Sequence, residues 1–290
     1  MRMNFRRLVA LAFTLLAPRL GAQDQYFDSD GVRIRYIVEG KGAPIVLIHG
    51  FESSLDIWRT RGILPNLAQN YQVIAFDMRG HGKSSKPHDP GAYGREMALD
   101  VVRLLDHLGI TRAHIVGYSL GSVVTSQLLT LHPERFITAT LIAGAGRLDW
   151  SDEQQRATEA EARDYERECI SRSLIYRISP ADRPKPTEKD IQALIATCMA
   201  DSTRDRFALG AVARSRGDQR ITSAAAAAVT VPTLGVVGSL DPARNGMETL
   251  KKLRPDLKLV VVEGATHAGE RGILGRPELI SALRDFLTSH

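Results

Sequence analysis

H-I-V-G-Y-S-L-G-S-V-V (114–124) sets a serine between two glycines, with one apolar run before it and another after it. An apolar run, a sharp G-x-S-x-G turn and an apolar continuation fit a strand that passes directly into a helix. The pentapeptide alone suits either a nucleophilic Ser119 or a buried serine in a tight turn. The rest of the chain has to discriminate.

Outward from this stretch, short β-rich runs alternate with longer helical patterns. V-R-I-R-Y-I-V (32–38) alternates apolar and charged residues after the turn signal S-D-G, as a half-buried edge strand should. P-I-V-L-I (44–48), Y-Q-V-I-A-F (71–76), A-H-I-V (113–116) and I-T-A-T-L-I (137–142) are uniformly apolar. Strands of that kind belong in the middle of a parallel sheet covered by helices on both faces. E-M-A-L-D-V-V-R-L-L-D-H-L-G (96–109) has helical spacing and ends on a glycine suited to a C-cap. The class is α/β.

After Gly146 the alternation stops. From 148 to 222, 27 of 75 residues are charged, strand runs are absent, and stretches such as E-A-E-A-R-D-Y-E-R-E (159–168) read as helix. P-T-L-G-V-V-G (232–238), L-K-L-V-V-V (257–262) and an amphipathic helix around 279–287 then resume the pattern. The expectation is a core domain formed by 23–147 and 223–290, with a helical cap inserted at 148–222. The alanine run at 224–228 reads as a connecting helix or turn, and no internal repeat is present.

At 290 residues, 43% hydrophobic and 24% charged, the chain has enough material for a large core. Its first residues stand apart from that core. Arg2, Arg6 and Arg7 precede L-V-A-L-A-F-T-L-L-A (8–17), and small residues lie near Ala22, which is the pattern of a secretory signal peptide over 1–22. An amphipathic or membrane-anchoring N-terminus is the alternative; ten apolar residues are short for a bilayer span. Cleavage after Ala22 would remove four arginines and no acid, taking the formal charge from +5 to +1. The basic balance therefore argues for neither nucleic acid nor stable membrane insertion of the mature chain. Export to the periplasm or medium would also allow Cys169 and Cys198 to form a disulfide, although two buried thiols fit the sequence equally well.

Open α/β sheets build ligand sites at the carboxyl ends of their strands. H-G-F-E-S-S follows one apolar run, D-M-R-G-H-G-K-S the next, G-Y-S-L-G the third, G-S-L-D the strand after the cap and G-A-T-H-A-G the last. Ser119, Asp241 and His267 thus emerge in that order from one sheet edge. With this set, 26 onward closely resembles the α/β-hydrolase superfamily, in its capped serine esterase and lipase-like branch.

The resemblance implies an α/β-hydrolase fold, a mostly parallel central sheet flanked by helices, with a helical cap inserted after strand 6. It implies a nucleophile elbow at Ser119, a general base at His267 and an orienting acid at Asp241. The oxyanion hole would be the main-chain N–H groups of Phe51 and Leu120, and Gly50, Glu52 and Tyr118 become possible pocket residues. Asp149, following A-G-A-G, competes with Asp241 because some members take their acid there. Only His267 among the eight histidines follows the last strand. Glu52 has a simpler explanation as an acid starting a helix, and Arg79 one as a loop anchor.

The same resemblance implies a carboxylic ester as the small-molecule substrate, an acyl-enzyme, and neither metal nor organic cofactor. Serine at 119 departs from the aspartate that epoxide hydrolases and haloalkane dehalogenases place at the elbow. A C–C hydrolase of diketone-type substrates and a proline iminopeptidase-like amide hydrolase share the triad and stand as alternatives. From another class, a non-catalytic binding protein on this fold would tolerate loss of a triad member.

Overall fold

The apolar runs pair edge to edge into one eight-stranded sheet in the computed structural model, which describes residues 23–180 and 182–290. The expected signal segment, 1–22, lies outside the described residues. In chain order the strands are β1 (Gln25–Ser29), β2 (Val32–Glu39), β3 (Pro44–Ile48), β4 (Gln72–Phe76), β5 (Ala113–Tyr118), β6 (Phe136–Ile142), β7 (Arg147–Leu148), β8 (Arg220–Ile221), β9 (Thr233–Gly238) and β10 (Lys258–Val262). The helices are α1 (Asp56–Thr60), α2 (Ile63–Leu67), α3 (Arg95–His107), α4 (Leu120–Leu131), α5 (Asp152–Glu168), α6 (Arg172–Ile178), α7 (Glu188–Ala200), α8 (Arg206–Arg214), α9 (Ser223–Ala227), α10 (Arg244–Leu253) and α11 (Pro277–Thr288).

The sheet order is β1-β2-β4-β3-β5-β6-β9-β10, antiparallel at β1/β2 and β2/β4 and parallel from β4 onward. Period-two alternation sends successive side chains to opposite faces. Val46 and Ile48 of β3 and Ile74 and Phe76 of β4 therefore join one core with Met97, Val101 and Leu104 of α3 and Val124 and Leu128 of α4. Their neighbours Ile45, Leu47, Val73 and Ala75 join the other, with Trp58 of α1, Ile63 of α2 and Leu283 and Phe286 of α11. The sheet sits between two helical layers, and its central strands are buried on both sides.

The stretch 32–38 is not the edge. β2 lies between β1 and β4, and β1 takes the edge position. Asp30 and Gly31 form a two-residue loop with Ser29 opposite Val32, and both loop residues have positive φ, 55° and 76°. That conformation suits the aspartate–glycine pair. Q-Y-F-D-S is too short and too polar to be caught by periodicity, so the turn was the available signal.

Between β7 and β8 the chain forms α5 to α8, and β7 pairs with β8 in parallel where this segment leaves and rejoins the core. Ser151 and Gln154 cap α5 reciprocally, as Thr187 and Asp190 cap α7. Ala162 and Tyr165 of α5 pack on Leu209 and Ala213 of α8. Cys169, at the end of α5, is bonded to Cys198 of α7 with their Cα atoms 5.9 Å apart. The alanine run supplies α9, capped by Thr222. Among the described residues no helix is long and apolar enough to cross a membrane.

Candidate active site

Ser119 joins β5 to α4 with φ 53° and ψ −111°. A non-glycine residue held there stores roughly 1 to 3 kcal/mol of backbone strain. The surroundings impose it. A Cβ at Gly117 would lie 2.2 Å from the Gly121 carbonyl, and one at Gly121 would lie 2.1 Å from the Ile48 carbonyl, so only glycines let helix and strands meet this closely. Ser122 locks the turn from beneath: it accepts from the Ile142 N–H at 3.0 Å and donates to the Gly117 carbonyl at 2.8 Å. Sequence reasoning missed that role, since a serine one residue past the second glycine gives no periodic signal.

The hydroxyl of Ser119 lies 3.0 Å from Nε2 of His267, whose Nδ1 lies 3.0 and 3.1 Å from the two oxygens of Asp241. An ionised carboxylate only accepts, so Nδ1 carries the proton and Nε2 is free to accept from the serine. Asp241 is fully enclosed and also accepts from the Ala243 N–H at 2.8 Å. Tyr118 steadies the histidine loop by donating to the His267 carbonyl at 2.8 Å, and burial raises the pKa of its phenol. Asp149 sits elsewhere, exposed and accepting from Ser223 at 2.7 Å. The structure unites Ser119, His267 and Asp241 and leaves Asp149 apart.

Phe51 and Leu120 flank the serine as expected, and among the described residues neither amide N–H has a protein acceptor. The Phe51 amide is aimed by its own peptide unit. His49 accepts from the Met78 N–H through Nε2 at 3.0 Å, which leaves Nδ1 to donate to the Gly50 carbonyl at 2.7 Å. In a trans peptide the N–H points opposite to the C=O, so gripping the Gly50 oxygen directs the Phe51 N–H away from His49. Burial lowers the His49 pKa to about 4, so this ring stays neutral. Gly50 itself packs against the ring of Tyr118, its site for a Cβ only 3.0 Å from Cδ1.

Glu52 starts no helix, because α1 begins at Asp56. Its carboxylate instead reaches the helical insertion, accepting from Tyr165 at 2.5 Å and from Arg204 at 2.9 Å. Arg79 is the anchor that its loop suggested, with two hydrogen bonds to Asp100 at 2.6 and 2.7 Å.

A cavity of about 440 Å³ contains Ser119 and His267. The core contributes Gly50, Phe51, Glu52, Tyr118, Leu120 and Val123 to its wall; α6 adds Leu174, Ile175, Arg177 and Ile178. Arg147 and Arg216 also line it, and sequence reasoning missed all three arginines. Among the described residues no group of three or more His, Cys, Asp or Glu is placed to hold a metal ion.

A family model described as the alpha/beta hydrolase fold matches residues 43–269. The chain belongs to the α/β hydrolase family. Within the family, 123 residues of this hydrolase, 42% of the chain, are 43% identical to 32% of the dihydrolipoyllysine-residue acetyltransferase component of an acetoin cleaving system from Cupriavidus necator. A further 118-residue match, 40% of the chain, is 37% identical to 41% of a 2-hydroxymuconate semialdehyde hydrolase from a Pseudomonas species. The hydrolase thus spans well under half the length of these curated relatives. It is similar over 90% of its own chain to all of a solved structure described as an N-acyl homoserine lactone degrading enzyme, at 28% identity and a TM-score of 0.71.

Proposed function

We propose that this α/β hydrolase cleaves carboxylic esters through an acyl-enzyme on Ser119. The observation that carries the proposal is the hydrogen-bonded line Ser119–His267–Asp241, at 3.0 Å per link, at a strained elbow beside two unclaimed main-chain donors. In the first half-reaction Oγ bonds to the acyl carbon while its proton passes to Nε2. The C–O bond then breaks, and the same proton leaves with the alcohol. A water molecule repeats the sequence on the acyl-enzyme, giving the acid and free serine. Asp241 holds the ring and stabilises its charged form, and the Phe51 and Leu120 amides receive the oxyanion, each donor contributing about 3 to 4 kcal/mol in the transition state.

Labelling with a fluorophosphonate and turnover of p-nitrophenyl acetate test this. Both are expected in the wild-type protein and both are expected to vanish in Ser119→Ala. A folded wild-type protein that takes no label would overturn the hydrolase mechanism and favour a binding role. The disulfide between Cys169 and Cys198 supports the further reading that the chain works in an oxidising compartment, exported to the periplasm or medium.

A further inference from the structure

Three arginines, Arg147, Arg177 and Arg216, line the cavity that also holds the triad. Arg177 and Arg216 share one buried carboxylate, that of Glu161, with Arg177 donating at 2.7 Å and Arg216 in close contact with the other oxygen. Arg147 stands beside them with no carboxylate of its own among the described residues. Its one hydrogen bond is from Nε to the neutral Gln219 side chain at 3.2 Å, and its guanidinium lies 5.4 Å from the ring of Trp150. Both terminal nitrogens are left without a protein acceptor among the described residues.

The other acids of the lining are already committed. Glu52 is held by Arg204 and Tyr165, and Asp241 by His267. Three guanidiniums against the single carboxylate of Glu161 leave the cavity with surplus positive charge. Desolvation and repulsion from Arg216 and Arg177 lower the Arg147 pKa to about 9, so its charged form lacks the counterion that its surroundings call for. A guanidinium fork with two free N–H groups matches a carboxylate in a bidentate pair.

We infer that Arg147 is a specificity-determining residue, flanked by Arg177 and Arg216, which selects esters carrying a carboxylate in addition to the scissile bond. The inference rests on the ester-cleaving role of Ser119. Leu174, Ile175 and Ile178 line the same cavity, so the spacer between ester and acid is expected to be a short hydrocarbon chain. The simpler alternative makes Arg147 a strut, packed on Trp150 at the base of the helical insertion. It predicts no preference for charge.

The test compares kcat/KM, by pH-stat at pH 7.5, for monoethyl glutarate, adipate and pimelate against ethyl esters of neutral acids of matched length. A second arm places the acid on the alcohol side, using 4-acetoxybutanoate against butyl acetate. At least one acidic series is expected to exceed its neutral partner by about 10- to 100-fold, the span of one charge-assisted hydrogen-bonded pair. In Arg147→Met that ratio is expected to fall to within about 3-fold, with Arg147→Lys between the two. Neutral esters preferred in both arms, or a ratio unmoved in Arg147→Met, would overturn the inference and leave the esterase role standing. Calorimetry of monoethyl adipate and of 4-acetoxybutanoate on Ser119→Ala separates the two claims without turnover. Binding of either that is lost on adding Arg147→Met supports the subsite even if no fluorophosphonate label is taken up, whereas binding of neither refutes it.

Discussion

Asp241 follows β9 of the large sheet and Asp149 follows β7 of the small one, and they differ in what they can do for an imidazole. Asp241 is enclosed, keyed by the Ala243 N–H, and presents both oxygens to Nδ1 of His267, while Asp149 is exposed and accepts from Ser223. An amide at 241 would offer an N–H toward Nδ1 and so favour the tautomer that cannot accept from Ser119. Asp241→Asn is therefore expected to lower kcat on p-nitrophenyl acetate by about 10⁴-fold with the fold intact. Asp149→Asn is expected to stay within about two-fold, as surface substitutions do. Steady-state rates giving the reverse order would move the acid to 149. The three members were legible because each lies within five residues of the carboxyl end of a strand of one parallel sheet, in a short loop motif that the sequence shows directly. Arg147, Arg177 and Arg216 were not, because only the packing of the insertion brings those positions to one cavity.

At the scale of elements, long apolar runs and helices with a clear 3.6-residue period could be placed from sequence, whereas the two-residue strands β7 and β8 carry no period at all. Those two strands nevertheless define where the helical segment departs and returns, close to the composition change at 148 and 222. Inside the segment the buried clusters are small. Among the described residues Ala162, Tyr165, Leu209 and Ala213 form one between α5 and α8, and Ile170 and Ile191 pack around the two cysteines in another. Ion pairs of Arg214 with Glu159 and Glu166, and the Cys169–Cys198 bond, supplement them. Closing a loop with a sequence separation of 29 contributes roughly 3 to 4 kcal/mol. Reduction is thus expected to open α6 and α7 locally without unfolding the sheet. Limited trypsin digestion followed by mass mapping should find cleavage after Arg172, Arg177 and Lys189 accelerated by about ten-fold or more after reduction, with the core fragments still resistant. Equal digestion of oxidised and reduced protein would show that the bond does not hold the segment.

For the molecule as a whole, buried neutral histidines set the acid limit. His49 and His81 pack ring to ring, with centroids 5.3 Å apart, between the Phe51 loop and the turn after β4. Nε2 of His81 has no hydrogen-bond partner among the described residues, and burial lowers the two pKa values to about 4 for His49 and about 3 for His81. In the unfolded chain both rings titrate near the ordinary 6.5. Below that value the unfolded state binds more protons than the native one, so stability is fully present above pH 6.5 and is lost as the pH falls toward 4. Each ring contributes a slope of about 1.4 kcal/mol per pH unit within its window, so that His49 alone removes roughly 3 kcal/mol by pH 4. Urea midpoints measured at pH 7.5, 6.5, 5.5 and 4.5 are expected to be level between the first two and to drop progressively through the last two. A midpoint constant to pH 4.5 would mean that the rings are not buried neutral. Because native His49 stays neutral down to about pH 4, the Gly50 peptide keeps its hydrogen bond through the decline in stability and is expected to lose it only near pH 4.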